Sequence, residues 1–264
     1  MSTRIESREN ALVKRLAKLS ADRKFRRETG EMVCEGGKML GEALASGVTV
    51  HAVLVADDAL VSTAVLHSAE QAGAKLYSCP SALLAKVSNV KTPQGVVFSC
   101  TRPMAELESF AGARRLMVLE GLQDPGNLGT IMRTADAFAL DGIILCEGCV
   151  DPTSPKVVRA TMGAAFRLPI AAAGIEETAA FLHRQGLPLY AAALGADSVP
   201  VTQVDLHRAA VLIGNEGRGV SKKAAALSDR QIIIPMEGRA ESLNASVAAS
   251  ILMYEMSRGG GEAI

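Results

Sequence analysis

The sequence has 264 residues, 48% hydrophobic and 21% charged, and its 28 Lys+Arg balance 28 Asp+Glu to a formal net charge of zero. A chain of this length supports one or two domains and buries roughly 70–75% of its unfolded surface, so it needs neither a disulfide nor a metal to fold. The composition excludes a disordered or fibrous protein, and no apolar run reaches the ~20 residues that span a bilayer.

The neutrality is an average over unlike parts. Residues 1–105 hold 14 basic and 10 acidic side chains, net +4, which leaves 14 and 18, net −4, to residues 106–264. The opening, MSTRIESREN, is polar and has no secretory apolar region. Within residues 1–30, nine Lys/Arg face four acids, while Leu12, Leu16 and Leu19 recur at helical spacing. This basic arm reads equally well as a solvated helix face or as a surface that tracks phosphates. EMVCEG then reads as a strand, GKMLGEALASG as a helix closed by Gly47, TVHAVLVA as a strand, and LVSTAVLHSAEQAG as a helix closed by Gly73. AKLYSC, SALLAKVSN and QGVVFSC continue as strand, helix and strand, completing a small α/β sandwich. Thr101–Arg115, with Pro103 and Gly112, reads as a linker. A second α/β series follows: LMVLEGL, GIILCEG, LPLYAAAL, AAVLIG and QIIIPM are near-continuous apolar runs that suit parallel strands covered on both faces. The only low-complexity stretch is the Gly-Gly-Gly-Glu near the C-terminus.

Ligands of open α/β sheets collect beyond the carboxyl ends of strands, and three loops there stand out. In Glu120–Asp136 a strand ends in a Pro-Gly turn and a helix starts near Asn127, a natural N-cap, with Arg133 in its second turn among Ile131, Met132, Ala135 and Phe138. In Leu212–Ser221, three glycines within six residues let backbone amides approach a ligand, and Glu216 places a carboxylate at the turn. The spacing matches neither the dinucleotide fingerprint nor a P-loop, which disfavours a nicotinamide enzyme and nucleotide hydrolysis. In Ile234–Ser246, a loop precedes a helix capped near Ser242, with Asn244 just inside it and Leu243, Val247 and Ile251 as its expected buried stripe. Cys146-Glu-Gly-Cys149 has redox or zinc spacing but no second Cys/His pair. The five separated cysteines point to free thiols in a reducing compartment, by default the cytoplasm. His51, His67, His183 and His207 are scattered and read as surface or structural residues.

Taken in order, Asn127 through Ile131 to Arg133-Thr-Ala, Ile213-Gly-Asn-Glu-Gly-x-Gly and Ile234-Pro-Met-x-Gly-x-x-x-Ser-Leu-Asn-Ala-Ser resemble the TrmH branch of the SPOUT methyltransferases, also called the SpoU family. The stretch Asp151–Gly163 looks like the same family. Cys34-Glu-Gly-Gly-Lys and Val87-Ser-Asn-Val-Lys-Thr-Pro-Gln-Gly-Val resemble the substrate-binding domain that precedes many such catalytic domains. Ala139 stands where relatives often carry Gly, and Ala245 where Val is common.

The resemblance implies an α/β architecture. A C-terminal SPOUT domain at 106–264 with a deep trefoil knot would follow a small ribosomal-protein-like RNA-binding domain at 1–105. It implies transfer of a methyl group from S-adenosylmethionine to a ribose 2′-hydroxyl of RNA, most readily 23S rRNA, with tRNA or an inactive RNA-binding module of the same fold as alternatives. Leu194, Gly195, Ile213, Gly214, Asn215, Ile234, Met236 and Leu243 would then contact the cofactor. Arg133 would orient the hydroxyl and stabilise the developing alkoxide, supported by Asn127, Glu216, Ser242 and Asn244. The expected RNA-facing cations are Lys14, Arg15, Lys24, Arg26, Lys38, Lys91, Lys156 and Arg159. The partners implied are RNA and a second copy, docked through the C-terminal domain, with no membrane and no metal.

Overall fold

The computed structural model describes residues 3–195 and 198–258; the Gly-rich stretch at 259–262 lies outside them. The chain forms two compact units, Met1–Pro103 with Asp151–Arg167, and Met104–Val150 with Leu168–Ile264. The sequence division at 105/106 places residues 151–167 with the second domain, whereas they pack with the first unit. The expected linker is also shorter than Thr101–Arg115. The Arg102 amide still donates to Gly30 O in the first unit, while Ala105 already donates to Ile170 O in the second, where Leu107 and Phe110 are buried.

The first unit contains β1 (Thr3–Arg4), α1 (Ala11–Ala21), α2 (Arg23–Thr29), β2 (Glu31–Glu35), α3 (Gly37–Ala45), β3 (Val50–Ala56), α4 (Thr63–Gln71), β4 (Lys75–Cys79), α5 (Ser81–Leu84) and β5 (Val96–Thr101). Its sheet has the order β1-β4-β3-β5-β2, parallel around β4 and antiparallel around β5. The central strands β3 and β5 carry Val53, Leu54, Val97 and Phe98 with almost no exposure, and α1 buries Val13, Leu16 and Leu19. Each such apolar side chain contributes about 1.5–3 kcal/mol on burial. Asn10 caps α1 by accepting from the Leu12 amide, and Asp22 ends α1 and caps α2 by accepting from Phe25. The helix expected over SALLAKVSN contracts to Ser81–Leu84.

Arg26 departs from its expected role. It is 4% exposed, its Nε and Nη2 donate to Asp151 Oδ2 at 3.0 and 2.6 Å, and Nη1 donates to Leu19 O and Ser20 O at the end of α1. A guanidinium saturated in this way cannot meet a phosphate. Its partner begins the return segment, where Asp151 Oδ1 also accepts from the Thr153 amide and hydroxyl. Burial pushes Asp151 upward, but the Thr153 and Arg26 hydrogen bonds outweigh it and hold the carboxyl below the ordinary aspartate value. Ser154 then caps α7 (Pro155–Ala160), with Pro155 at the first helical position and Val157 and Val158 buried.

The second unit contains β6 (Arg115–Leu119), α6 (Pro125–Ala137), β7 (Gly142–Leu145), β8 (Ile170–Ala172), α8 (Ile175–Arg184), β9 (Leu189–Ala192), β10 (Val199–Pro200), β11 (Ala209–Ile213), α9 (Lys222–Ala226), β12 (Arg230–Ile233) and α10 (Ala245–Ser257). Its seven strands are all parallel in the order β10-β12-β9-β11-β6-β7-β8. β11 and β6, at the centre, are buried along nearly their whole length, as the continuous apolar runs require. The short strands β8 and β10 are additions to the sequence reading. Helix α10 packs on α6. Ala139, just past α6, sits at φ +50, a left-handed position where glycine is relaxed and alanine is strained.

Candidate functional site

The three loops singled out in the sequence all leave the carboxyl ends of strands in the second unit and meet one another through side-chain amides. The first follows β6. Asp124, not Asn127, caps α6: its Oδ1 accepts from the Asn127 amide at 2.8 Å, and Pro125 takes the first helical position. The Asp-Pro pair carried that signal in the sequence. The start of the helix therefore moves back, which frees the Asn127 side chain for another task and shifts Arg133 from the second turn to the third.

Asn127 joins the other two loops. Its Nδ2 donates to Glu216 Oε1 at 3.2 Å, and its Oδ1 accepts from Asn244 Nδ2 at 3.0 Å. Glu216 also accepts from the Gln123 amide on Oε2 and from the Asp124 amide on Oε1. An ionised carboxylate only accepts, so Glu216 dictates that Asn127 turns its NH2 inward, and that choice leaves the Asn127 oxygen for Asn244. Asn244 Oδ1 in turn caps α10, accepting from the Ser246 and Val247 amides and the Ser246 hydroxyl. The cap of α10 is thus Asn244 rather than Ser242, which is exposed. Burial pushes Glu216 upward, but the amides of Asp124, Glu216 itself and Gln123, with the Asn127 side chain, hold its carboxyl below the ordinary glutamate value.

The glycine-rich loop after β11 folds back on itself. Asn215 and Gly219 exchange backbone hydrogen bonds of 3.0 and 2.8 Å, Asn215 Oδ1 accepts from the Gly217 and Arg218 amides, and Asn215 Nδ2 donates to Gly121 O. A Cβ on Gly214 would stand 2.2 Å from the backbone of Gly219, so this glycine is required by the turn's own closure. Ser221 then caps α9 while its amide and hydroxyl donate to Glu120.

Beside this framework lies a cavity of about 460 Å³, within the size range of small-ligand sites. Of the residues expected at a cofactor, Leu194, Ile213, Gly214, Asn215, Ile234, Met236 and Leu243 line it. Gly195 does not, and a Cβ there would meet Gln231 at 2.9 Å. Glu216 and Ser242 also border the cavity, as do Arg218 and Glu241, which sequence reasoning passed over. Leu194 and Met236 are 63% and 36% exposed, large apolar side chains left uncovered at the cavity. Such a lining of apolar side chains and glycine backbone fits a flat heteroaromatic base joined to a short thioether-like chain, and it offers no cluster of cations for a polyphosphate.

Arg133 is exposed on α6 and has no ion pair among the described residues. It does not line the cavity. A separate uncovered apolar face is formed by Thr130 and Phe138 with Val247, Ile251 and Tyr254 of α10; Arg133 lies between Thr130 and Phe138 in sequence but is not among the residues that line it. The stripe expected to be buried is therefore partly open, with Val247 47% exposed, while Ala249, Leu252, Met253 and Met256 form the inner face of α10. Cys146 and Cys149 are buried, and burial pushes their thiols up to about 12 and about 11. They are therefore neutral thiols, and the Cys149 thiol donates to Leu119 O.

In the first unit, Lys14 pairs with Glu9, Lys24 with Glu28 and Arg15 with Glu31. Lys38, Lys91, Lys156 and Arg159 are exposed and have no ion pair among the described residues.

Residues 114–254 match the SpoU rRNA Methylase family, and residues 10–97 match the MRM3-like substrate binding domain. The chain is 34% identical over 254 residues to the 23S rRNA (guanosine(2553)-2'-O)-methyltransferase RlmP of Bacillus subtilis (strain 168), covering 96% of this chain and 98% of that protein. An AdoMet-bound rRNA methyltransferase from Sinorhizobium meliloti superimposes with a TM-score of 0.89 at 30% identity, covering 99% of each chain. The SpoU methyltransferase AviRb of Streptomyces viridochromogenes in complex with AdoMet gives a TM-score of 0.84 at 26% identity, over 95% of this chain and 98% of that one.

Proposed function

Because the chain belongs to the SpoU rRNA methylase family, we propose that it transfers a methyl group from S-adenosylmethionine to a ribose 2′-hydroxyl of 23S rRNA in the cytoplasm. The observation that carries this reading is the joining of the three family motifs through the Glu216–Asn127–Asn244 hydrogen bonds, beside a cavity that the second and third motifs line. The deep trefoil knot of SPOUT proteins is part of the proposal, as is the division of labour between a substrate-binding first domain and a catalytic second one.

Leu194, Ile213, Gly214, Ile234, Met236 and Leu243 would hold the cofactor, which supplies a methyl already made electrophilic by its sulfonium. The remaining chemistry falls to the protein: a poorly acidic hydroxyl must be aligned and its proton removed. A guanidinium is not deprotonated in proteins, so Arg133 acts by orienting the ribose hydroxyl and stabilising negative charge as it develops, while a neighbouring RNA phosphate takes the proton. Glu216, Asn127 and Asn244 are positioning residues that fix the loops. Ser242, exposed beside the cavity, would meet substrate.

Arg133 is exposed on α6, the helix whose Thr130 contributes to the uncovered Phe138–Val247–Tyr254 face, and does not line the cavity, so we infer that a second copy covers that face and that the complete site forms beside the resulting interface. Tyr254→Asp would then give a monomer by light scattering with strongly reduced turnover; an unaltered mass for that variant and the wild type would remove the interface from the mechanism.

The deciding experiment incubates the chain with labelled S-adenosylmethionine and either 23S rRNA or total tRNA. Transfer to 23S rRNA is expected, and Arg133→Ala should lower it by at least ~10²-fold with cofactor affinity retained. Transfer to tRNA alone would move the substrate, and RNA binding without any transfer would leave an inactive binding module.

A further inference from the structure

The return segment 151–167 carries a feature that neither cofactor binding nor methyl transfer explains. Met162 is 45% exposed and sits at φ +53, followed by Gly163 at φ +103, so two successive residues are left-handed. Left-handed backbone is costly for a long side chain, and Gly or Asn would relax it. The turn is nevertheless locked from beneath. Thr161 is 1% exposed, its hydroxyl donates to Val158 O at 2.7 Å and accepts from the Ala165 amide, and Ala164, Ala165 and Phe166 are buried. The fold thus holds an apolar, polarisable side chain out in solvent on a rigid, strained pedestal. Strain of this kind persists where the surroundings over-determine it, and it clusters at ligand clamps.

The charges around it are also distinctive. Lys156 and Arg159 stand three residues apart on α7, leading to Met162, and both are exposed. Arg159 borders the same small cleft as Glu35 and Met39 at the start of α3 and Asn89 before β5. Residue 163 abuts Glu42, one helical turn along α3 from Lys38. Lys91 lies on the loop two residues after Asn89. In contrast to Lys14, Arg15, Lys24 and Arg26, these four cations keep no acidic partner among the described residues. A paired cation must give up its acid to release a phosphate's counterion, whereas an unpaired one does not.

Resting on the reading that RNA is the substrate, we propose that Lys156, Arg159 and Met162, with Lys38 and Lys91, form the RNA-docking face of the first unit. The phosphates of a loop or bulge lie on the cations, and an unstacked base lies against the Met162 thioether. Single-stranded, splayed bases are the usual target of sequence-selective RNA recognition, and methionine sulfur packs well against aromatic faces. Most of this face comes from residues embedded in the methylase-family part of the sequence, so RNA docking does not belong to the N-terminal domain alone.

The test uses the full chain and transcribed 23S rRNA, with binding titrated against salt, cofactor affinity and Tm measured alongside. Met162→Asn should weaken RNA binding roughly 10-fold while Tm stays equal or rises, because the backbone is relaxed. Lys156→Ala with Arg159→Ala should lower the magnitude of the log–log salt slope by roughly 1.4, at about 0.7 per phosphate contact on single strands. Cofactor affinity should be unchanged in both. RNA affinity and salt slope at wild-type values in both variants would overturn the assignment, as would an altered oligomeric mass in Met162→Asn, which would give the residue to a protein interface. A wild-type chain that binds the RNA without methylating it would overturn the catalytic reading while the variants still decide this one.

Discussion

Two carboxylates, the buried Asp151 and the exposed Glu216, anchor the two units, and they are neutralised differently. Asp151 in the first unit faces a full charge, Arg26, which is itself closed off by two backbone carbonyls. Glu216 in the second unit faces neutral donors, the backbone amides of Gln123, Asp124 and its own residue and the Asn127 side-chain amide. The first arrangement cancels charge and closes a core. The second spends a negative charge on orienting side-chain amides in sequence, so that one carboxylate sets the hydrogen-bond polarity of three loops. A charge–charge pair fixes position, while a carboxylate among neutral donors also fixes direction, and the second unit uses it where its cavity is built.

The comparison is broken most severely by Arg26→Ala. It leaves Asp151 buried without its counter-charge, and a loss of about 3–5 kcal/mol is expected in urea denaturation, with turnover per folded molecule preserved. At the other node, Asn127→Ala removes one of the two donors to Glu216 Oε1 and the acceptor of Asn244 Nδ2. Both partners are exposed, so a loss of about 0.5–1.5 kcal/mol is expected, together with lower methyl transfer, which the rate at saturating cofactor would read. Glu216→Gln keeps the shape but places an NH2 among donors, and its signature should be a fall in turnover larger than its fall in Tm.

Acid titration separates the nodes further. Both carboxyls are held below their ordinary values in the folded state, so each contributes stability that is present above the unfolded value near pH 4. That contribution is lost as pH falls through the folded value. Denaturation midpoints measured downward from pH 5 should therefore decline. A flat profile would show that neither carboxyl is held down. A smaller effect of opposite sign is expected from Ala139→Gly, which relaxes a left-handed alanine past α6 and should raise stability by about 1 kcal/mol. Smallest of all, Lys14→Ala with Lys24→Ala removes only exposed ion pairs and should change stability by less than about 0.5 kcal/mol per site.

Much of this arrangement was legible in the sequence, and the misses share a physical cause. The strands β2, β3, β6 and β11 announce themselves because a buried strand is a continuous apolar run bounded by turn residues. The two- and three-residue strands β1, β8 and β10 carry too few side chains for any period to register. Asn127, Glu216 and Asn244 were legible as a group through the family motifs, but their bonding order was not, because it follows from a carboxylate whose neighbours are set by the fold. Arg26 read as a free cation since its partner lies 125 residues away. Val247 and Ile251 read as core since a stripe that docks on another surface has the same spacing as one that docks inward.

The return of residues 151–167 also sets an order of events during synthesis. Arg26 leaves the ribosome 125 residues ahead of Asp151. At 5–20 residues per second it waits roughly 6–25 s for its counter-charge, while β6, α6 and β7 of the other unit are made in between. The first unit is therefore not a module that can be finished, or excised, at its apparent boundary. A fragment ending near residue 105 would lack α7 and Asp151, the charge that Arg26 is folded to meet.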